Sequence, residues 1–487
     1  MRILQSIRNL TLLLSFGALP AQAQWATDTL SAPRGELSAV TVDQFALFAG
    51  GRTGGTLHST VDIYDALNDA WTMTALPLGA RTNLAVAALG HHAFFAGGAI
   101  TGSASTTAVD IFDSQTQLWV TAQLSVPRFG LVATAVGTKV IFAGGATNGP
   151  FNAVVSDVVD IYDSALGLPS DPLAWTATTL TQSRAFICAG TVGQLAMFAG
   201  GYDGTTDSNV VDVYDNSTDQ WAVMHLSQAR GFTTDASAVV GSKIFFAGGL
   251  QDNNVLSGVV DIYDEQTGLW TVESLPTPRV GVLAVALGNV ILMAGGLDTQ
   301  LDPVDLVETF NVGTGKWGLD ALPSGPRNVG AATVVGDRAF FGGGFIGNGA
   351  TTSTVDIYQP VGFNYCQAAV NSTGDAATIA ASGSTSLTAN NLVLSATCLP
   401  DKPFLFFHGG AQQQAPFGDG FLCVSGGLVR IMPPGFANDG LGTTAVDLPS
   451  VGITSPGERH FQCWFRDPGA GGSGFNTSDA ITVTFTP

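Results

Sequence analysis

Phe246-Ala247-Gly248-Gly249, then Val260-Asp261-Ile262-Tyr263-Asp264, then Trp270, then Pro278-Arg279: this four-part stretch decides the fold because it recurs along the chain. The Phe-Ala-Gly-Gly element starts at Phe48, Phe95, Phe142, Phe198 and Phe246, with variants starting at Met293 and Phe341, at spacings of 47 to 56 residues. Val-Asp-Ile-Tyr or a relative follows at Val61, Val109, Val159, Val211, Val260, Val307 and Val355. A Trp comes next in six of the seven units, at Trp71, Trp119, Trp175, Trp221, Trp270 and Trp317. An Arg precedes each Gly-Gly, at Arg34, Arg81, Arg128, Arg184, Arg230, Arg279 and Arg327. Such a period marks a repeat architecture, in which each unit buries its apolar face only against its neighbours.

Each unit reads as four short strands: one after the Arg, one ending in Gly-Gly, one holding Asp-x-Tyr and one centred on Trp. Glycine tolerates positive φ and has no Cβ, so Gly-Gly lets the chain turn sharply and approach a neighbour. Tyr and Trp supply wide apolar faces for packing unit on unit. The seventh unit stops at Val355-Asp356-Ile357-Tyr358-Gln359-Pro360 with no Trp strand, while Trp25 stands alone ahead of Arg34. Residues Trp25 to Leu30 are therefore expected to supply the missing strand, which would hide the open edge of the array.

This combination resembles the kelch repeat family over residues 24–360. The resemblance implies an all-β, seven-bladed kelch β-propeller closed by its N-terminal strand. Kelch propellers serve as protein-binding platforms, as sugar-binding modules and, in a minority, as enzyme scaffolds, so fold alone does not fix function. The seven repeat arginines match seven third-strand acids, Asp62, Asp110, Asp160, Asp212, Asp261, Glu308 and Asp356. Pairing between them is the expectation, because a carboxylate buried between blades needs a donor. The alternative is a ring of guanidinium groups at the channel mouth that holds an anion.

The first 23 residues carry Arg2 and Arg8, an apolar run from Leu10 to Leu19 and Ala21-Gln22-Ala23, the layout of a signal peptide. The run is about half of the ~20 residues that span a bilayer. Export to the medium, the periplasm or the cell surface follows, with no membrane span. A net charge of −20 with only four lysines argues against nucleic acid or anionic lipid as partner.

Residues 361–487 lose the repeat and alternate small polar and aliphatic residues, as a small β-sandwich does. Tyr365-Cys366, Pro416 to Cys423 and Phe461 to Pro468 resemble a C-terminal module that recurs in exported proteins of environmental bacteria. Cys366, Cys398, Cys423 and Cys463 are disulfide candidates with three connectivities open. Cys188 reads as a buried small apolar residue.

Enzymatic chemistry finds few anchors. No Gly-x-Ser-x-Gly elbow occurs, so His408-Gly409-Gly410 has no nucleophile to serve. The six histidines, His58, His91, His92, His225, His408 and His460, include no metalloprotease spacing. The enzymatic alternative is a copper-radical oxidase resembling galactose oxidase, or another carbohydrate-active enzyme on the same propeller. Against it, five of the seven tyrosines are repeat residues, Cys188 is the only propeller cysteine and no Tyr-His dipeptide occurs. The expectation is a non-catalytic binding protein for a protein or glycan ligand, with no cofactor predicted and with calcium and copper left open. Its candidate ligand residues lie in the variable loops after Gly-Gly: Arg52, His58, Tyr202, Asp203, Asp207, Asp252, Asn254, Asp298 and Asp302.

Overall fold

The computed structural model describes residues 24–101, 104–147, 154–231, 236–252, 255–312 and 315–487. The expected signal peptide at 1–23 and the candidate Asn254 lie outside them. The chain divides into two compact units, Gln24–Phe363 and Asn364–Pro487, so the first ends three residues beyond the boundary read from the repeat. Both are built from antiparallel strands, and no helix among the described residues is long and apolar enough to cross a membrane.

The first unit has a propeller-like β fold. Its described residues form seven four-stranded sheets, spanning 38–75, 85–128, 132–179, 188–225, 237–274, 283–321 and 331–359, the last completed by Gln24–Thr29. In the first sheet the order is Ser38–Val42, Phe45–Ala49, Thr60–Asp65 and Ala70–Ala75, and the second strand is buried along its whole length. In the seventh, the N-terminal strand pairs with Thr354–Gln359 in the register Trp25 to Tyr358 and Asp28 to Val355.

The apolar core lies between the sheets rather than within any one of them. Seven clusters each join two sheets, six of them sheets consecutive along the chain, as Phe45 and Leu47 pack with Phe95 and Phe112. One of the seven joins Phe48 and Tyr64 of the first sheet to Phe340 and Ile357 of the seventh. Within each sheet the Tyr or Phe of the third strand lies beside the Trp of the fourth, with ring centroids 5.3 Å apart for Tyr64 and Trp71. The same pair recurs across the chain ends, where Trp25 and Tyr358 are 5.1 Å apart.

The repeated charges are spent inside this framework. Each repeat arginine is at most 2% exposed and ion-paired to the third-strand acid of its own sheet: Arg34 to Asp62, Arg81 to Asp110, Arg128 to Asp160, Arg184 to Asp212, Arg230 to Asp261, Arg279 to Glu308 and Arg327 to Asp356. The Arg128 guanidinium also donates to the Gly144 and Val158 carbonyls, and the free carboxylate oxygen of Asp160 accepts from Ser125 N–H. The loop arriving from one sheet is thereby clamped onto the next. No dissolved anion can reach guanidinium groups buried this deeply.

Gly-Gly has a similar local cause. A Cβ on Gly144 would sit 2.5 Å from the Arg184 carbonyl of the following sheet, and Gly145 N–H donates to that carbonyl at 2.8 Å. Gly344 makes the same bond to Arg34, from the last sheet to the first. Both glycines of each pair have positive φ, so a side chain would meet strain as well as a clash.

The second unit contains a six-stranded sheet, a three-stranded sheet (Thr378–Ser382, Val393–Thr397 and Gly442–Ala445) and the hairpin Ala411–Phe417 with Gly420–Ser425. Cys366 and Cys423 form a disulfide. Of the four candidates, Cys398 and Cys463 carry no such bond. Cys463 is fully buried in the strand Gly457–Arg466, where burial raises its thiol pKa, while Cys398 follows the strand Val393–Thr397 of the three-stranded sheet with φ of 56°.

Candidate functional site

In an up-and-down sheet, the connections after the second and fourth strands emerge at the same end. The loops after Gly-Gly therefore gather on one face, together with the segments that follow the repeat arginines. The described arms of these loops pair with each other, as Arg52–Thr53 pairs with Thr56–Leu57 to form a small hairpin and Tyr202 pairs with Asp207. Each hairpin is bridged to the residue just after the arginine: Gly35 to Arg52, Thr82 to Ala99, Phe129 to Ala146, Ala185 to Tyr202, Gly231 to Leu250, Val280 to Leu297 and Asn328 to Phe345.

The next residue in each unit forms a feature that the sequence reading missed. Glu36, Asn83, Gly130, Phe186, Gly281 and Val329 all have positive φ, between 48° and 69°; Phe232, their counterpart in the fifth unit, lies outside the described residues. Backbone bonds join three pairs of them from neighbouring sheets: Glu36 N–H to Val329 O at 2.9 Å, Asn83 N–H to Glu36 O at 3.3 Å and Phe186 N–H to Gly130 O at 3.0 Å. A β-branched Val or an aromatic Phe is costly in this conformation and persists only where the surroundings impose it. The result is a collar of fixed backbone carrying side chains that differ from unit to unit. The one sequence signal was the presence of Gly130, Gly281 and Asn83, residues that tolerate positive φ, at equivalent positions.

Two groups of the candidate residues come together on this face. Arg52 makes a bidentate pair with Glu36, both bonds 2.7 Å, and its guanidinium lies 5.1 Å from the centre of the Phe345 ring. Phe345 lies against Gly35, where a Cβ would come within 2.4 Å of the ring. His58 belongs to the same hairpin, with Nε2 3.0 Å from Thr53 Oγ1, and burial lowers its pKa.

The second group is acidic. Asp207 N–H donates to Asp252 Oδ1 at 3.1 Å, and the Asp207 carboxylate lies against Gly231. Burial, then the charges of Asp252 and Asp203, push the Asp207 pKa up to about 6. Its unfolded value is about 4, so the folded state holds the extra proton between pH 4 and 6 and stability falls as pH rises through that window. Asp207→Asn is therefore expected to raise the melting temperature at pH 7 and leave it unchanged at pH 4, as differential scanning calorimetry would register.

Other candidates serve their own turns. Asp203 Oδ1 accepts from the backbone of Thr205 and Thr206, both at 2.8 Å, which lowers its pKa, and Asp298 Oδ1 accepts from Gln300 and Asp302 N–H. Asp302 is exposed, and Tyr202 supplies the hairpin bridge.

Beneath the collar, first strands of the sheets line a cavity of ≈ 200 Å³ walled by Ala85, Val86, Val132, Ala189, Ser237 and Ala332, among others. Hydroxyls between neighbouring sheets bond laterally, Thr41 to Thr333 at 2.8 Å and Ser237 to the Ala189 carbonyl at 2.7 Å. The lining residues are Ala, Val, Leu and Ser, none of them titratable. Among the described residues no three His, Cys, Asp or Glu side chains are grouped so as to hold a metal ion. Tyr64, Tyr162, Tyr214 and Tyr263 are buried in the packing between sheets, and Cys188 is 2% exposed.

No family model matches the chain, and no curated protein matches it. Among solved structures, one described as "Structure of YjhT" aligns with a TM-score of 0.47 at 14% identity, covering 60% of this chain and 99% of that one.

Proposed function

We propose that this chain is an exported protein whose first unit is a closed seven-bladed kelch propeller that binds a protein or glycan ligand on its hairpin face without catalysing a reaction. On this reading the second unit is an appended β-sandwich. Seven sheets, seven inter-sheet clusters and the Gly344 to Arg34 bond support the ring. The observation that carries the binding function is the collar. There the backbone repeats while the side chains change from Glu36 to Asn83 to Phe186 to Val329, and strained backbone held in place is a hallmark of ligand clamps. The repeated charges, by contrast, are consumed by folding. The Phe345 ring beside a planar, bidentate Arg52–Glu36 pair offers the mixed apolar and hydrogen-bonding surface that specific binding sites present.

The test is a glycan array and a screen of cell-surface proteins with the processed chain, repeated with Phe186→Ala and Glu36→Ala. Binding weakened about tenfold or more by the collar variants is expected, as for central residues of an interface. Thr116→Ala, in a turn at the opposite end of the second sheet, should bind as the unaltered protein does. Equal binding by all the variants, or no binder in either screen, would remove the reading.

A further inference from the structure

Ring closure leaves one junction without a covalent strand-to-strand link. Every sheet but the seventh is made from one continuous stretch of chain, whereas in the seventh Gln24–Thr29 and Thr354–Gln359 are joined by hydrogen bonds and packing, with no turn between them. Opening the ring therefore means separating residues 331–359 from the N-terminal strand and the first sheet that follows it.

Two charged side chains cross that line outside the repeat plan. The nine arginines of residues 24–363 comprise the seven repeat residues, Arg52 and Arg338. Arg338, on the second strand of the seventh sheet, bonds to Asp69 Oδ1 at 2.7 Å and to the Tyr64 hydroxyl, both in the first sheet. Arg52, from the first sheet's hairpin, lies over Phe345 from the seventh sheet's hairpin while held by Glu36. The first contact lies at the turn end of the ring and the second on the hairpin face. At the equivalent position in the third sheet stands Lys139, which pairs with Asp163 of its own sheet at 3.7 Å and lies 5.8 Å from the Tyr214 ring of the next.

We propose that Arg338 and Arg52 form a two-point clasp across the closing junction, and that its release limits opening of the ring. The clasp also fixes the Arg52, Glu36 and Phe345 side chains of the binding face. This inference rests on the closed-ring reading above.

Hydrogen exchange read by mass spectrometry on the full processed chain tests it, with the unaltered protein, Arg338→Ala, Arg52→Ala, the double variant and Lys139→Ala. Exposed pairs of this kind are weak singly, so the expected result is about tenfold faster exchange in 24–29 and 354–359 for the double variant, with other strands unchanged. Lys139→Ala should leave 158–163 and 210–215 within about twofold of the unaltered protein. In the unaltered protein, 1 M salt should speed exchange at the closing junction alone, a measurement that needs no variant. Equal exchange at that junction in the double variant and the unaltered protein, or an equal effect of Lys139→Ala at its own junction, would overturn the clasp. Immediate exchange of 24–29 in the unaltered protein would instead overturn the closed ring itself.

Discussion

Arg279→Ala is expected to lower stability by about 3–5 kcal/mol, the range for breaking a buried ion pair on one side. The Arg279 guanidinium donates to Gly295 O at 2.8 Å, Leu306 O at 3.0 Å and Met293 O at 3.2 Å, besides Glu308 Oε2 at 2.8 Å, with both side chains 0% exposed. Its loss strands a buried carboxylate and several carbonyls together. Desolvation by burial already lowers the Arg279 pKa, with the Glu308 charge opposing it, so the pair stands only as a unit. Replacing both partners, as Arg279→Met with Glu308→Leu, should cost clearly less than Arg279→Ala, because no isolated charge remains. Urea unfolding of the three proteins checks this; an Arg279→Ala midpoint equal to that of the unaltered protein would show the pair to be dispensable.

Removing residues 24–29 is the second large effect. Six paired positions at about 0.5–1 kcal/mol per hydrogen bond put the loss at roughly 3–6 kcal/mol. Trp25 adds to this, since it packs on Tyr358 and Phe341 and bonds to Asp320 at 2.8 Å. The strand 354–359 would become an open edge, so the shortened chain should also self-associate, visibly in light scattering. A synthetic Gln24–Thr29 peptide added in excess should restore part of the melting temperature by mass action. A shortened chain that melts where the unaltered one does would show that the first unit does not depend on this strand.

These effects could be anticipated because they lie on a period. Seven copies of Arg, Gly-Gly and an acid-x-aromatic element, with Trp in six, let each residue be compared with its equivalents, and an unmatched Trp25 at one end with a missing Trp strand at the other pointed to their pairing. The collar was hidden because φ does not follow from residue type: Gly130 and Gly281 hint at a left-handed position, whereas Val329 and Phe186 argue against one. Among the loop candidates, Asp203 and Asp298 looked available but each commits its Oδ1 to an Asx turn, which Asp203-Gly204-Thr205 and Asp298-Thr299-Gln300 carry as local turn chemistry. The grouping of Asp207 with Asp252, and of Arg52 with Phe345, depends on which hairpins become neighbours in space. In the tail, cysteine spacing alone could not choose Cys366 and Cys423, because the sheet register that brings them together has no repeat to reveal it.

A binding platform and a copper oxidase on the same propeller part most sharply over metal. The deciding measurement is the metal content of the purified, processed protein after exposure to copper and dialysis, read by mass spectrometry. The account predicts copper far below one equivalent per chain, because the described residues bring no three His, Cys, Asp or Glu together as ligands. Copper retained near one equivalent per chain would contradict it.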